Sequence, residues 1–438
     1  METSTPPRRL PIAGPAHPPP FRLPAEHFAA ALLWLLAAAA GLAASAGDLA
    51  AGNFLAPHLL AVTHAFTLGV LATTIYGALY QFFPGALGIE LRSVRVAHAT
   101  WALHTAGTLA LVTGFWTWRP ALLAVGWCLL FAGVFGSSWN LLPQRRRAPH
   151  GRLVGLYVSA GHIALGTAML VALARIGNSL GWWPVDRMPV IVSHFHLAVF
   201  GFVAFTAVGV GSWMLPMFLL AARAPTWPLR WIGPVGLSGL AALTTGALGG
   251  WPLLASAGGV LVLASALLYL VQLLLYFRHA ERRPIDPALA HVAAAVLHFA
   301  AAAGLGISIL AGNADVRAWT AYGLLAITGW AVLMVVGVLY KILPFLAWMN
   351  LFGPRAAQAG APSQADLTSP PLVRLSLVLL VPGVWGLAAG TLLGRAGIVL
   401  AGALLYLAGV VVVLGQYVRI LRLARPRPAQ RTVTLSTK

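Results

Sequence analysis

Histidine is the residue type best placed to do chemistry in this 438-residue chain. All nine acidic residues fall at the ends of apolar segments or in loops. Seven of the 13 histidines, by contrast, lie within or at the ends of apolar segments: His58, His64, His104, His162, His194, His196 and His298. A single membrane histidine is usually a hydrogen-bond partner between helices. Several histidines without buried carboxylates favour metal or haem ligation, because neutral imidazole costs less to bury and binds transition metals and haem iron.

The spacing of three of these histidines predicts how they could share a cofactor. His64 and His196 each precede a proline by 20 residues, a helical rise of about 30 Å, so both are predicted near the same membrane boundary. Two such histidines on neighbouring helices could ligate one haem iron from both faces. His194 stands two residues before His196 and is predicted to point about 200° away, toward a different compartment. The Ser193–His196 motif could therefore serve two sites, or hold one packed and one interfacial histidine.

Three segments of the chain repeat a pattern of small residues. Residues 64–84, 196–216 and 324–344 share two glycines eight positions apart and a proline seven positions later. The segments begin 132 and 128 residues apart, so the repeating unit is about four helices long. Glycines two turns apart on one face allow close helix packing, or clearance for a flat ligand such as a haem. The positions concerned are Gly69, Gly77, Gly201 and Gly209, with Gly329 and Gly337 in the third segment.

Composition identifies the elements that must position these residues. Hydrophobic residues make up 59% of the chain and charged residues only 8%, whereas soluble proteins carry about a quarter charged residues. The single Cys128 excludes a disulfide framework and zinc sites built on paired cysteines. A membrane helix needs about 20 apolar residues, and the sequence predicts twelve spans. They cover approximately residues 27–46, 55–83, 94–115, 120–141, 153–175, 189–219, 231–250, 252–277, 288–311, 318–346, 372–393 and 396–420.

The predicted fold is therefore an all-α integral membrane protein with three pseudosymmetric four-helix repeats, at about residues 27–141, 153–277 and 288–420. Residues 1–26 form a predicted cytoplasmic Pro/Arg-rich arm, residues 27–421 the membrane domain, and residues 422–438 a cytoplasmic tail. With both termini inside, 23 of the 28 basic residues fall on the cytoplasmic side, as expected for membrane proteins. The net charge of +19, including the clusters at 145–147 and 282–283, is thus an orientation signal rather than a sign of nucleic-acid binding.

Two of these histidine-containing segments resemble helices of a known family. His64-Ala65-Phe66, opening a helix that ends Gln81-Phe82-Phe83-Pro84, resembles the second helix of subunit I of the haem-copper oxidases, and His194-Phe195-His196 resembles its tenth. The His-x4-Gly-x7-Gly-x6-Pro spacing is also similar to the NnrS-type branch, twelve-helix haem and copper proteins linked to nitric oxide stress. The resemblance implies that His64 and His196 ligate a low-spin b-type haem, and that His194 serves a second haem or metal. His104, His162 and His298 would complete that second site, and His58 would reach a haem propionate or face water.

The sequence departs from the oxidases in the same regions. The tenth span has Tyr322 and Leu324 where the oxidases have their histidines, and residues 231–250 contain none of the copper ligands. Carboxylate-lined proton channels have no counterpart in these spans, which counts against proton pumping and against a complete copper site. The expectation is one or two b haems, with copper doubtful.

The leading hypothesis is a bacterial inner-membrane haem protein that transfers electrons or handles a diatomic gas such as NO or O₂. It would be an oxidoreductase subunit of a respiratory complex, with quinol or a cytochrome as electron donor. Two alternatives stay open: a metal-ion permease that uses the histidines, and a non-catalytic assembly subunit of a respiratory complex. Haem content separates the first hypothesis from both alternatives.

Overall fold

A computed structural model describes residues 20–142, 151–281, 285–353 and 362–423. Within those ranges the chain forms helices joined by turns and contains no β-strand. Most of the predicted arm and tail, and the basic clusters at 145–147 and 282–283, lie outside the described residues. We number the long helices α1 (Arg22–Ala44), α2 (Pro57–Leu87), α3 (Val94–Trp116), α4 (Pro120–Leu141), α5 (Arg152–Ser179), α6 (Arg187–Leu219), α7 (Pro228–Leu248), α8 (Pro252–Arg278), α9 (Pro287–Leu310), α10 (Val316–Phe352), α11 (Pro370–Leu392) and α12 (Ala396–Leu423).

Eleven of these helices are long and apolar enough to cross a membrane, so the chain is an all-α, multi-pass membrane protein. The exception within the described ranges is α3, which is 23 residues long and coincides with a predicted span. It carries Arg95, His98, His104 and four threonines, which lower its apolar character. The ends also differ: α1 begins at Arg22, inside the predicted arm, and α10 extends to Phe352.

The three helices with the repeated glycine pattern form the centre of the protein. α2, α6 and α10 are the longest and most buried of the eleven spans. Each contains a π-helical segment, at Ala65–Ala72, Leu197–Val203 and Leu325–Val332. The three π-helical segments contact one another. The π-turn is rare and occurs often at functional sites, and the sequence analysis did not predict it. Two of the segments begin directly after His64 and His196.

The repeated glycines bring each central helix close to the helix before it. A Cβ on Gly69, Gly201 or Gly329 would lie 2.4–2.8 Å from Trp34, Ala164 or His298. A Cβ on Gly77, Gly209 or Gly337 would lie 2.6–2.8 Å from His27, Tyr157 or Ala288, with His291 also close to the last. These distances are too short for any side chain, so the glycines serve helix packing. The space they open is filled by protein atoms of α1, α5 and α9.

The remaining helices form three tightly packed hairpins, α3–α4, α7–α8 and α11–α12. Each hairpin has a glycine whose Cβ would collide with the backbone nitrogen of the facing helix. The distances are 2.7 Å for Gly126 to Leu111, 2.1 Å for Gly258 to Leu243 and 2.6 Å for Gly402 to Leu387. Small residues let helix backbones approach in lipid, where no hydrophobic force drives association. The hairpins therefore surround the three central helices as compact pairs.

Candidate functional site

The main cavity lies beside the π-helical segments of α2 and α6 and has a volume of about 500 Å³. That size falls within the range of small-molecule and cofactor sites, about 300–1,000 Å³. Its walls come from α2 and α6, with α3, α4, α5 and α10 closing the sides. The surface is mostly apolar, and the titratable residues that line it are His64, His194, His196, Tyr322, Arg175 and Arg187.

His64 and His194 face one another across this cavity with their ring centroids 6.2 Å apart and their planes inclined by 28°. Nδ1 of His64 lies 2.7 Å from the carbonyl oxygen of Leu60, and Nδ1 of His194 lies 2.9 Å from that of Ala168. A carbonyl oxygen only accepts, so both rings carry their proton on Nδ1. Each Nε2 therefore keeps a lone pair, and the backbone fixes the ring orientation, as is usual for metal-ligating histidines.

His196 has a different environment, although it lines the same cavity. Its Nδ1 donates to the carbonyl of Val192 at 2.8 Å, so its Nε2 is an acceptor. That nitrogen lies 3.3 Å from the hydroxyl of Tyr322 on α10. Phe195 and Phe200 pack against the ring on other sides. The lone pair of His196 is thus engaged by a hydrogen bond, in contrast to those of His64 and His194.

The structure pairs the histidines around the main cavity differently from the sequence expectation. His64 was expected to pair with His196, and His194 to serve another compartment. The structure places His194 beside His64, and both histidines of the motif line one cavity. The physical reason is that the two-residue offset turns His194 toward α2 and α5 and His196 toward α10. The cavity is wide enough for both side chains to line it, although they point in different directions.

His104 and His162 lie deeper, on either side of a buried tyrosine. Both ring centroids are 5.8 Å from that of Tyr76. Nε2 of His104 donates to the carbonyl of Leu68 at 3.0 Å, and Nδ1 of His162 donates to that of Val158 at 2.7 Å. The other ring nitrogens and the Tyr76 hydroxyl are buried without a hydrogen-bond partner. His104 thus holds a carbonyl of the π-helical segment of α2.

The last two predicted site residues stand apart from this cluster. His298 stacks on Trp385 with 4.9 Å between ring centroids and abuts Gly329 in the third group of helices. His58 is exposed at the beginning of α2, where it packs edge-on against Trp116 at 4.5 Å. In the parts of the chain that the structure describes, no group of three or more His, Cys, Asp or Glu side chains comes together to hold a metal ion. His104, His162 and His298 therefore do not form one site.

Three titratable residues that line the cavity were not among the candidates from the sequence: Tyr322, Arg175 and Arg187. Tyr322 was noted only as the residue that replaces a histidine on α10. Arg175 and Arg187 line the cavity from the end of α5 and the beginning of α6, and none of the described residues that line it is a carboxylate. The signal was present in the charge count, since the α5–α6 connection carries two of the five basic residues on the predicted outer side.

In comparisons with known proteins, no protein-family model and no curated protein matches the chain.

Proposed function

We propose that this chain is a haem-binding membrane protein in which His64 and His194 ligate one b-type haem within the main cavity. The observation that carries the proposal is the facing pair of imidazoles, 6.2 Å apart, each with its Nδ1 hydrogen tied to a carbonyl. Two nitrogens that bind one metal ion from opposite sides stand about 4 Å apart. The rest of the 6.2 Å between the ring centroids is of the order of the two distances from a ring nitrogen to its ring centre. The observed separation therefore suits one iron between the two rings.

The walls of the cavity support the same assignment. An apolar surface suits the macrocycle of a haem, and Phe115 stacks on His64 with 4.7 Å between centroids. The guanidinium groups of Arg175 and Arg187 would bind the propionates, because arginine binds carboxylates through charge-assisted hydrogen bonds. His58, on the exposed surface at the beginning of α2, is a further candidate partner for a propionate. Bound haem would supply one-electron chemistry, and the chain would hold it and shield it from water.

The proposal revises the ligand pair that the family resemblance implies. The resemblance to the haem-copper oxidases implies that His64 and His196 of this chain bind one haem together. Here the hydrogen bond from Tyr322 occupies the lone pair of His196. His194 would therefore hold the haem together with His64, and His196 would line the cavity beside them. His104 and His162, around Tyr76, are the candidates for a second haem or metal. Copper in a complete oxidase-type site is not part of the proposal.

We also propose that the membrane domain has twelve spans in three four-helix repeats, with α3 as the additional span. Several recurrences support this arrangement: the π-helical segments, the glycine contacts to α1, α5 and α9, and the three hairpins. In each repeat the two glycine contacts fall on residues seven apart, Trp34 after His27, Ala164 after Tyr157 and His298 after His291. The basic-residue distribution supports cytoplasmic termini in a bacterial inner membrane.

The function that this site supports best is electron transfer or NO- or O₂-related redox chemistry within a respiratory complex. Electrons would come from quinol or a cytochrome partner. The test is the purified protein in detergent, produced in haem-sufficient cells, with a reduced-minus-oxidised spectrum and metal analysis. A Soret band and an α-band with about one haem per chain are expected. A colourless protein with a bound transition metal would favour the permease, and one that carries neither but copurifies with an oxidase would favour the assembly subunit.

A further inference from the structure

A second, smaller cavity adjoins the main one on the side away from His64. It has a volume of about 100 Å³ and lies between α6, α8, α9 and α10. Among the described residues that line it, the side chains with a polar atom are those of His196, Tyr322 and Trp319, and the others are apolar. Two of the apolar lining residues are Phe200 and Phe299. We call it the lateral pocket.

The lateral pocket reaches the lipid-facing surface of the protein. Leu310, one of its lining residues, is 40% exposed, and Gly259 and Gly306 are partly exposed. α8 and α9, which carry these residues, are among the least buried spans. A Cβ on Gly306 would meet only the ring of Tyr322, at 3.6 Å. Glycine on this wall thus leaves open the space that a larger side chain would fill.

Four residues line both the lateral pocket and the main cavity and so form the partition between them: His196, Tyr322, Val192 and Trp319. His196 and Tyr322 bind one another through the 3.3 Å hydrogen bond, and Nδ1 of His196 is tied to its own helix. The hydroxyl hydrogen of Tyr322 and both ring nitrogens of His196 are therefore engaged without a ligand. The pocket has few groups left to pair with a polar occupant, which would give up its hydrogen bonds to water on entering. An apolar occupant gives up no hydrogen bonds when it enters the pocket.

We propose that the lateral pocket is a binding site for a small apolar molecule, of the size of a dissolved diatomic gas, that arrives from the bilayer. Dry apolar cavities of about 150 Å³ bind xenon or benzene, so a pocket of about 100 Å³ suits a smaller guest. Occupancy of the pocket does not depend on haem. The role of the pocket as a gas site beside the main cavity rests on the proposed function.

Xenon is the probe, because it is apolar, monatomic and detectable by anomalous scattering or ¹²⁹Xe NMR. The full-length protein in detergent or nanodiscs is equilibrated under xenon pressure. One site is expected between Phe299, Gly306 and Tyr322. Gly306→Leu should abolish it, since the new side chain would occupy the pocket. Gly304→Leu is the matched control, because Gly304 is exposed on the same helix with no atom within 4 Å of its Cβ. Tyr322→Phe keeps the ring and should keep the xenon.

The outcomes separate this proposal from the haem proposal. Xenon in the lateral pocket of the native protein and of Gly304→Leu, with loss in Gly306→Leu, supports the site whether or not haem is found. A native protein with a haem spectrum but no xenon in the pocket would overturn the lateral pocket and leave the haem assignment standing. Retention of the xenon signal in a folded Gly306→Leu variant would also overturn it.

Discussion

Replacement of the two cavity arginines tests whether the occupant of the main cavity carries anionic groups. Arg187→Leu and Arg175→Leu each remove one guanidinium from a cavity with no carboxylate in the part of its lining that the structure describes. Asp186, which caps α6 by accepting from the backbone of Met188, is untouched in the first variant. Helix α6 should therefore form normally in Arg187→Leu. Arg175→Leu also removes the hydrogen bond that Arg175 donates to the side-chain oxygen of Asn178, so the melting temperature of that variant is measured beside its haem loss.

The expected magnitude follows from the exposure of the two side chains. A hydrogen bond to a charged group contributes about 1.5–3 kcal/mol, and about 1.4 kcal/mol corresponds to a tenfold change in affinity. Arg187 is exposed, so solvent screening reduces its contribution to the lower end of the range. We expect haem to dissociate roughly tenfold faster in Arg187→Leu and up to about a hundredfold faster in Arg175→Leu, which is partly buried.

The assay is the rate at which the oxidised protein loses haem to an excess of a soluble haem-scavenging apoprotein. Arg119→Leu is the control, because Arg119 is exposed at the beginning of α4 on the same predicted side but does not line the cavity. If both cavity variants lose haem at the rate of the native protein and of the Arg119 control, the occupant does not use these arginines. The proposal that Arg175 and Arg187 bind the haem propionates would then be wrong.

Three further predictions concern packing and the polar groups. Gly258→Ala should lower the apparent melting temperature in detergent through an overpacking cost of about 1–3 kcal/mol, because its Cβ would lie 2.1 Å from the backbone of α7; Gly304→Ala, in open space, should change it little. Ser376→Ala should destabilise the protein by about 2 kcal/mol in thermal unfolding, because the buried side chains of His291 and Tyr340 both hydrogen-bond to the Ser376 hydroxyl. Ser376→Thr retains the hydroxyl and should recover part of the lost stability. Tyr322→Phe should leave the low-spin haem spectrum unchanged, because Tyr322 hydrogen-bonds to His196 and not to either proposed ligand. A shifted α-band would contradict that assignment.

Much of the fold follows from the sequence because membrane helices are specified by long apolar runs. The predicted spans 120–141 and 252–277 coincide with α4 and α8 to within a residue. The repeated glycines were correctly singled out as unusual, since only glycine lets α2 approach Trp34 and His27 so closely. What the sequence pattern could not distinguish was which surface each glycine faces, because the same spacing suits a helix or a flat ligand.

The site was predictable in its residue types but not in its pairings. Histidines at one depth follow from distances along two helices, whereas the neighbour of His64 depends on how α2 and α6 rotate about their axes. The π-helical segment after His64 alters that rotation, and it has no clear sequence signal. The engagement of His196 by Tyr322 joins residues 126 positions apart and needs the third repeat in place.

The measurement that tests the central assignment most directly is the spectroscopic identification of the axial ligands. Electron paramagnetic resonance and near-infrared magnetic circular dichroism of the oxidised protein should show a bis-imidazole low-spin haem. His64→Ala and His194→Ala should each abolish that signature, while His196→Ala keeps it. If the signature persists in His194→Ala and is lost in His196→Ala, the ligand pair derived from the structure is contradicted, and the pair implied by the family resemblance is correct.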